Sequence, residues 1–315
     1  MPERKLHGEG GSPLQQTRLA GRSVDVLRLD QLGGLAPGNK WFKLRENLRA
    51  ARAQGAKTLA SFGGPWSNHL HALAACAQEE GFASVGWVRG EADSSMTSML
   101  ADARAWGMQI RFLSRSDYRR RHDPQFISTL VASLDAPYVL PEGGANELAA
   151  RGCAGILDLL PDGGRDYDLI LVACGTGTTL AGLAGAYQGR ARLIGIPVLK
   201  AEKFMAADIA RLIGPPAGQG ARWQLDFRHH WGRYGSMPAG LGEFVRAFEA
   251  DAGIPLDPIY TAKLFYAAQT LIATGEVAAD EKMLLLHTGG LQGRRGFPGL
   301  FGDGAEFLPQ VRAQE

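Results

Sequence analysis

From Lys57 onward, short apolar runs alternate with amphipathic ones. KTLASF (57–62) predicts a strand, and SNHLHALAACAQEE (67–80) predicts a helix with Ser67 or Asn68 as N-cap and Gly81 past its end. The same alternation gives a strand at 83–89, a helix at 95–106 stopped by Gly107, a strand at 108–113, a helix near 124–134 and a strand at 137–140. A second series starts with DLILVAC (168–174), wholly apolar after its first residue, as a central parallel strand requires. It continues with a helix after GTGTT, a strand at 191–198, a Gly/Pro-rich break at 214–220, helices near 240–252 and 259–274, and the strand KMLLLH (282–287). Strand-helix-strand units in series imply parallel sheets flanked by helices, an α/β fold.

Composition narrows the function classes. Of 315 residues, 42 are glycine, roughly twice the usual share, without a Gly-X-Y period. Tight turns and close backbone approaches are therefore frequent. With 34 Lys+Arg against 32 Asp+Glu the formal charge is +2, which sets up no global field for nucleic acid or an anionic membrane. The cluster Arg119, Arg120 and Arg121 is short and reads as a solvated loop or helix end. Cys76, Cys153 and Cys174 lack CxxC spacing, so neither a disulfide framework nor a cysteine metal site is expected. Their reduced state and a start without an apolar run point to the cytoplasm. Leu169 to Gln188 is uncharged over about a membrane span's length, but its four glycines and three threonines fit strand, loop and helix better.

Ligands of open α/β sheets bind at the carboxyl ends of strands, which singles out four segments. GTGTT (175–179) opens a helix, so its N–H groups and threonine hydroxyls suit a phosphate; a packing turn is the plainer alternative. It lacks the lysine of a Walker loop and the GxGxxG spacing. SFGGPWSNHLH (61–71) presents Ser67, Asn68 and a helix N-terminus fit for a carboxylate, although Ser67 also suffices as a cap. His69 and His71 lie two apart and point to different helix faces; no metal site is expected, and His71 reads as structural or solvent-facing. PGNKWFKL (37–44) offers Lys40 and Lys43 at a helix start, each a candidate Schiff-base former. The fourth segment is HTGG (287–290). A phosphate loop with a cleft lysine is the minimal pattern of a pyridoxal phosphate enzyme.

GNKWFKL, SFGGPWSNH, CGTGTT, RYGSMP, LDPIYTAK and HTGG, in this order over roughly residues 28–295, resemble the family of 1-aminocyclopropane-1-carboxylate deaminase and D-cysteine desulfhydrase. These are pyridoxal phosphate enzymes of the tryptophan synthase β-subunit fold, fold type II. The resemblance implies two domains, a large one of residues 1–45 and 150–315 and a small one of 46–149 that closes on the substrate. It assigns the cofactor linkage to Lys40 rather than Lys43. It assigns the substrate carboxylate to Ser67, with Asn68 beside the cofactor's 3'-oxygen and the substrate, and His69 in the substrate-binding segment.

It gives the phosphate to Gly175, Thr176, Gly177, Thr178 and Thr179, cofactor contact to Thr288, and site tyrosines to Tyr234 and Tyr260, the latter otherwise readable as core. Ring-opening members carry glutamate after the DPxY tyrosine; Thr261 stands there, and Thr288 and His69 match the desulfhydrase side. The expected reaction is α,β-elimination on a small amino acid, most like D-cysteine, by a cytoplasmic homodimer. Ring-opening deamination, racemisation, β-replacement, and a non-catalytic phosphometabolite binder are the alternatives. Departures include Trp-Phe between the two lysines and Trp66 where glutamine is usual.

Overall fold

The computed structural model describes residues 13–91, 94–214 and 222–302. Strands β1 (Leu14–Leu19) and β2 (Arg22–Arg28) form a hairpin whose two loop residues, Ala20 and Gly21, are both at positive φ, as a type I′ turn requires. Helix α1 (Asn39–Ala53) leads to β3 (Thr58–Gly63), α2 (Asn68–Glu80), β4 (Ala83–Arg89), α3 (Ser98–Ala105) and β5 (Met108–Leu113). Next come α4 (Arg115–Arg119), α5 (Pro124–Val131), β6 (Pro137–Leu140) and α6 (Glu147–Ala154). The chain continues with β7 (Leu169–Cys174), α7 (Thr178–Ala186), β8 (Arg192–Pro197), α8 (Met205–Ile213) and β9 (Trp223–Leu225). It then forms α9 (Ala239–Ala252), α10 (Thr261–Ala273) and β10 (Met283–His287).

Two sheets result. One has the order β1-β2-β10-β7-β8-β9 and is parallel apart from the β1–β2 hairpin; the other, β5-β4-β3-β6, is wholly parallel. Strands β7 and β10 are buried along their whole length because helices cover both faces, which is why they read as unbroken apolar runs. Positions 45/46 and 149/150, the boundaries expected from the sequence, fall within α1 and α6.

Local chemistry sets the helix ends. Ser67 caps α2 by accepting from the Leu70 N–H, and Gly81 closes it in the left-handed region. Helix α3 starts at Ser98 rather than 95, because Thr97 takes the cap by accepting from Leu100. The uncharged stretch 169–188 is β7, a loop and α7, and no helix among the described residues is long and apolar enough to cross a membrane. Most of the Gly/Pro-rich break and the first twelve residues lie outside the described residues.

Strand order places the site. β2, β10 and β7 are neighbours, so their C-terminal continuations, residues 37–40, 288–290 and 175–179, meet at one end of the sheet. The end of β3 in the other sheet brings Ser67 and Asn68.

Candidate active site

Lys40 and Lys43 lie in the first turns of α1, whose entry depends on Gly38 at φ 88. A Cβ on Gly38 would stand 2.3 Å from the Thr288 carbonyl oxygen, so a glycine alone lets this turn dock on the end of β10. The Asn39 N–H donates to that same carbonyl at 3.2 Å. The Lys40 ammonium donates to Asn39 Oδ1 at 2.8 Å and lies 5.6 Å from the centre of the Tyr260 ring. Burial pulls Lys40 from its usual range down to about 7; the charge of Lys43 adds to this, and Asp257 and Cys153 oppose it. A lysine so shifted holds an appreciable fraction of neutral amine at neutral pH, which ordinary lysines do not.

Lys43 points the other way, into the β7–α7 loop. Its ammonium donates to Thr176 Oγ1 at 3.2 Å and to the Gly143 carbonyl at 3.3 Å, and Thr176 Oγ1 meets Thr178 Oγ1 at 2.8 Å. Gly177, at φ 73, caps α7, whose first N–H groups have no partner within the helix. Two hydroxyls, a helix N-terminus and a buried ammonium therefore converge on one spot, a cradle for a phosphate dianion. Thr179 serves differently: its hydroxyl accepts from Asn39 Nδ2 at 2.9 Å and so ties the loop to the lysine turn. Gly175 lies directly under Tyr260, whose Cε1 is 3.1 Å from where a Gly175 Cβ would stand.

The remaining candidates surround Lys40. Asn68, Tyr260, Thr288, Gly289 and Gly290 line one pocket with it. Tyr260 and the 44%-exposed Tyr234 share a hydroxyl contact of 3.2 Å, edge to face. Asn68 is buried, and its Oδ1 accepts from Gln292 at 2.8 Å. Ser67 is half-buried beside it, its oxygen taken by the cap while its own proton remains available to donate. Trp66 packs against Gly296, about 3.2 Å from the position of an added Cβ, and so joins the Ser67 loop to the segment after β10.

Both histidines of α2 are buried. His69 Nε2 meets Ser61 Oγ at 2.9 Å, its ring faces Gly144, and burial with the charges of Lys43 and Lys40 lowers it to about 3, which keeps it neutral. His71 is not solvent-facing: it is 5% exposed, with Nε2 at 2.9 Å from Asp102, a carboxylate also held by Arg295. The even-residue spacing does send the two rings to different partners, and what the sequence could not show is that small neighbours allow α2 to be buried on both faces.

Thr261 stands apart from the pocket lining. It is fully buried, and its hydroxyl accepts from the Asp257 N–H at 2.6 Å, leaving Thr288 as the threonine that lines the pocket. Two residues matter more than the sequence suggests. Lys43 stands there only as a rival to Lys40, although its placement one turn on is the available signal. Asp257, within the quoted LDPIYTAK, is fully buried and pushed up by burial to about 6.

A near-neutral buried amine beside a phosphate cradle can bond the aldehyde of a phosphorylated cofactor. Comparison with known proteins agrees. A family model described as pyridoxal-phosphate dependent enzyme matches residues 6–289. A putative 1-aminocyclopropane-1-carboxylate deaminase of Pyrococcus horikoshii is 28% identical over 287 residues, covering 88% of this chain and 87% of the relative. A D-cysteine desulfhydrase of Yersinia enterocolitica is 29% identical over 295 residues, covering 86% and 87%. The crystal structure of an ACC deaminase homologue superposes with a TM-score of 0.78 at 27% identity, covering 90% of this chain and 91% of that one. The chain belongs to the family of pyridoxal-phosphate dependent enzymes, as a relative of the 1-aminocyclopropane-1-carboxylate deaminases and D-cysteine desulfhydrases.

Proposed function

We propose that the protein is a lyase that removes a β-substituent from a small amino acid by α,β-elimination, with D-cysteine and water giving pyruvate, ammonia and sulfide. The residues present fit the cofactor: Lys40 would bond it, Lys43 with Gly175 to Thr179 would hold its phosphate, and Asn68 and Thr288 would border its ring. Pyridoxal phosphate, when bound, withdraws electrons from the Cα of an amino acid joined to it.

The chain supplies binding and proton traffic. Ser67 and the α2 N-terminus would hold the substrate carboxylate. Lys40, with an amine near neutrality, would take the Cα proton and keep it on Nζ. As the Cβ–S bond breaks, its electron pair would leave on sulfur, and the Tyr234–Tyr260 hydroxyl pair, whose oxygens lie 3.2 Å apart, would supply a proton there. A small unit of about residues 46–149 would close over the larger one and exclude water.

The observation that carries elimination over ring opening is a pair of threonines, Thr288 on the pocket lining and Thr261 where ring-opening members have a glutamate, the latter with its hydroxyl engaged with the Asp257 backbone. A neutral partner leaves the cofactor ring a weaker electron sink, which suffices when a good leaving group departs at once. A homodimer in the cytoplasm belongs to the same reading, supported by the resemblance and by three cysteines that are all free.

The test is a panel of D-cysteine, L-cysteine and 1-aminocyclopropane-1-carboxylate, assayed for keto acid, ammonia and sulfide. Sulfide and pyruvate in equal amounts from D-cysteine support the reading. Ammonia from the cyclopropane without sulfide from either cysteine replaces it with ring opening, and a phosphometabolite binder would release nothing.

A further inference from the structure

Asp257 has two carboxylate oxygens with different surroundings. Oδ1 accepts from the N–H groups of Ile259 and Tyr260 and so fixes the start of α10 and the tyrosine that faces Lys40. Oδ2 is buried without a hydrogen-bond partner, the only carboxylate oxygen so left among the described residues. A buried unpaired acceptor costs stability, and an asparagine would cap the same N–H groups equally well. The cap itself therefore needs neither the second oxygen nor the charge.

Oδ2 faces the pocket wall at Gly290. A Cβ there would stand 3.0 Å from Oδ2 and 3.1 Å from Asn68 Nδ2, and Gly290, at φ 93, leaves that notch open. Gly290 and Asn68 line the pocket that holds Lys40. The charged and titratable groups facing Asp257 are Lys40 from α1, His287 from β10, Lys263 on α10, and Tyr260 and Tyr234. Those facing Lys40 are Lys43 on its own helix, His69 from α2, Cys153 from α6, and Asp257 and Tyr260. Asp257 is thus the anion that opposes the effects of burial and Lys43 on Lys40.

We propose that Asp257 is a positioning residue that acts in two ways, with Oδ1 aiming Tyr260 and Oδ2 providing the counter-charge that favours a proton on the Lys40 nitrogen. The inference rests on the assignment of Lys40 as the cofactor-bearing residue. It explains how a desolvated amine beside a second lysine can still hold the proton it takes from the substrate.

The test is a pH titration of the visible absorbance of the cofactor-loaded protein, together with thermal melting, in the parent, Asp257→Asn, Asp257→Ala and Lys40→Ala. Asp257→Asn keeps the cap and removes the charge, so its melting temperature stays close to the parent's while the spectral midpoint falls by about one pH unit or more. Asp257→Ala loses both and also melts earlier. An unmoved midpoint in Asp257→Asn overturns the proposal while leaving Lys40 in place, provided that Lys40→Ala has lost the band. A band that persists in Lys40→Ala overturns the assignment of Lys40 and this inference with it.

Discussion

At the residue scale, three side chains divide the work that a single lysine motif suggests. Lys40 and Lys43 are three apart on one helix, yet one amine meets Asn39 and Tyr260 and the other meets Thr176. Spacing alone leaves the two as equals and only the family resemblance prefers Lys40; that Lys43 reaches into the β7–α7 loop is a tertiary fact. Replacing Lys43 by Met should weaken cofactor affinity by roughly 10- to 100-fold, the worth of a charge-assisted hydrogen bond, with the visible band retained once saturated. A titration of cofactor-stripped protein checks this. Because Lys40 is lowered to about 7, cofactor uptake should slow about tenfold per pH unit below that value and level off above it, as the neutral amine saturates. Uptake that stays flat between pH 5 and 8 would show an amine that is not so shifted. Asp257 is invisible in the sequence for a different reason: in DPIY it reads as a turn residue, and nothing there reveals that its second oxygen is left unpaired.

At the element scale, the end of β10 is where several restraints meet. Asp30, after β2, lies 2.8 Å from His287 Nδ1 and 2.6 Å from the Arg28 guanidinium, and all three are nearly buried. Burial works against its ionisation, but the bonds from His287 and Arg28 outweigh that and hold its carboxyl down at about 2. A carboxyl held below its unfolded value near 3.8 contributes stability above that pH and loses it as pH falls toward 2. The contribution is about 2 kcal/mol, so Asp30→Asn should lower the melting temperature at pH 7 and narrow its gap to the parent near pH 2. Gly38→Ala, forced against the Thr288 carbonyl at positive φ, should abolish cofactor binding before it abolishes folding, read by visible absorbance against circular dichroism. The elements themselves are legible in the sequence where burial is uniform, as in β7, β10 and the centre of β4. The β1–β2 hairpin is not, because LQQTRL and RSVDVLR carry polar residues that an edge strand and its neighbour tolerate. Helix α6, ELAARGCA, is equally hidden, with a glycine inside it and a single large apolar residue to mark a face.

At the scale of the whole molecule, near-neutral charge and abundant glycine become parts of one design. With a formal charge of +2 the chain has little long-range pull on an anion, so binding rests on the α7 terminus, Lys43 and the α2 terminus at close range. Affinity for the cofactor should accordingly change little with ionic strength, in contrast to a protein that steers its ligand with a large surface field. The fold carries segments from two sheets to one point, and what holds them there is specific: Gln292 on Asn68, Arg295 on Asp102, Trp66 on Gly296. Everything proposed for this cleft depends on one of two neighbouring lysines, Lys40, bearing the cofactor. Borohydride reduction of the cofactor-loaded protein followed by peptide mass spectrometry distinguishes the two. The phosphopyridoxyl increment should fall on Lys40 alone, and an increment on Lys43, or none on either, would refute the assignment.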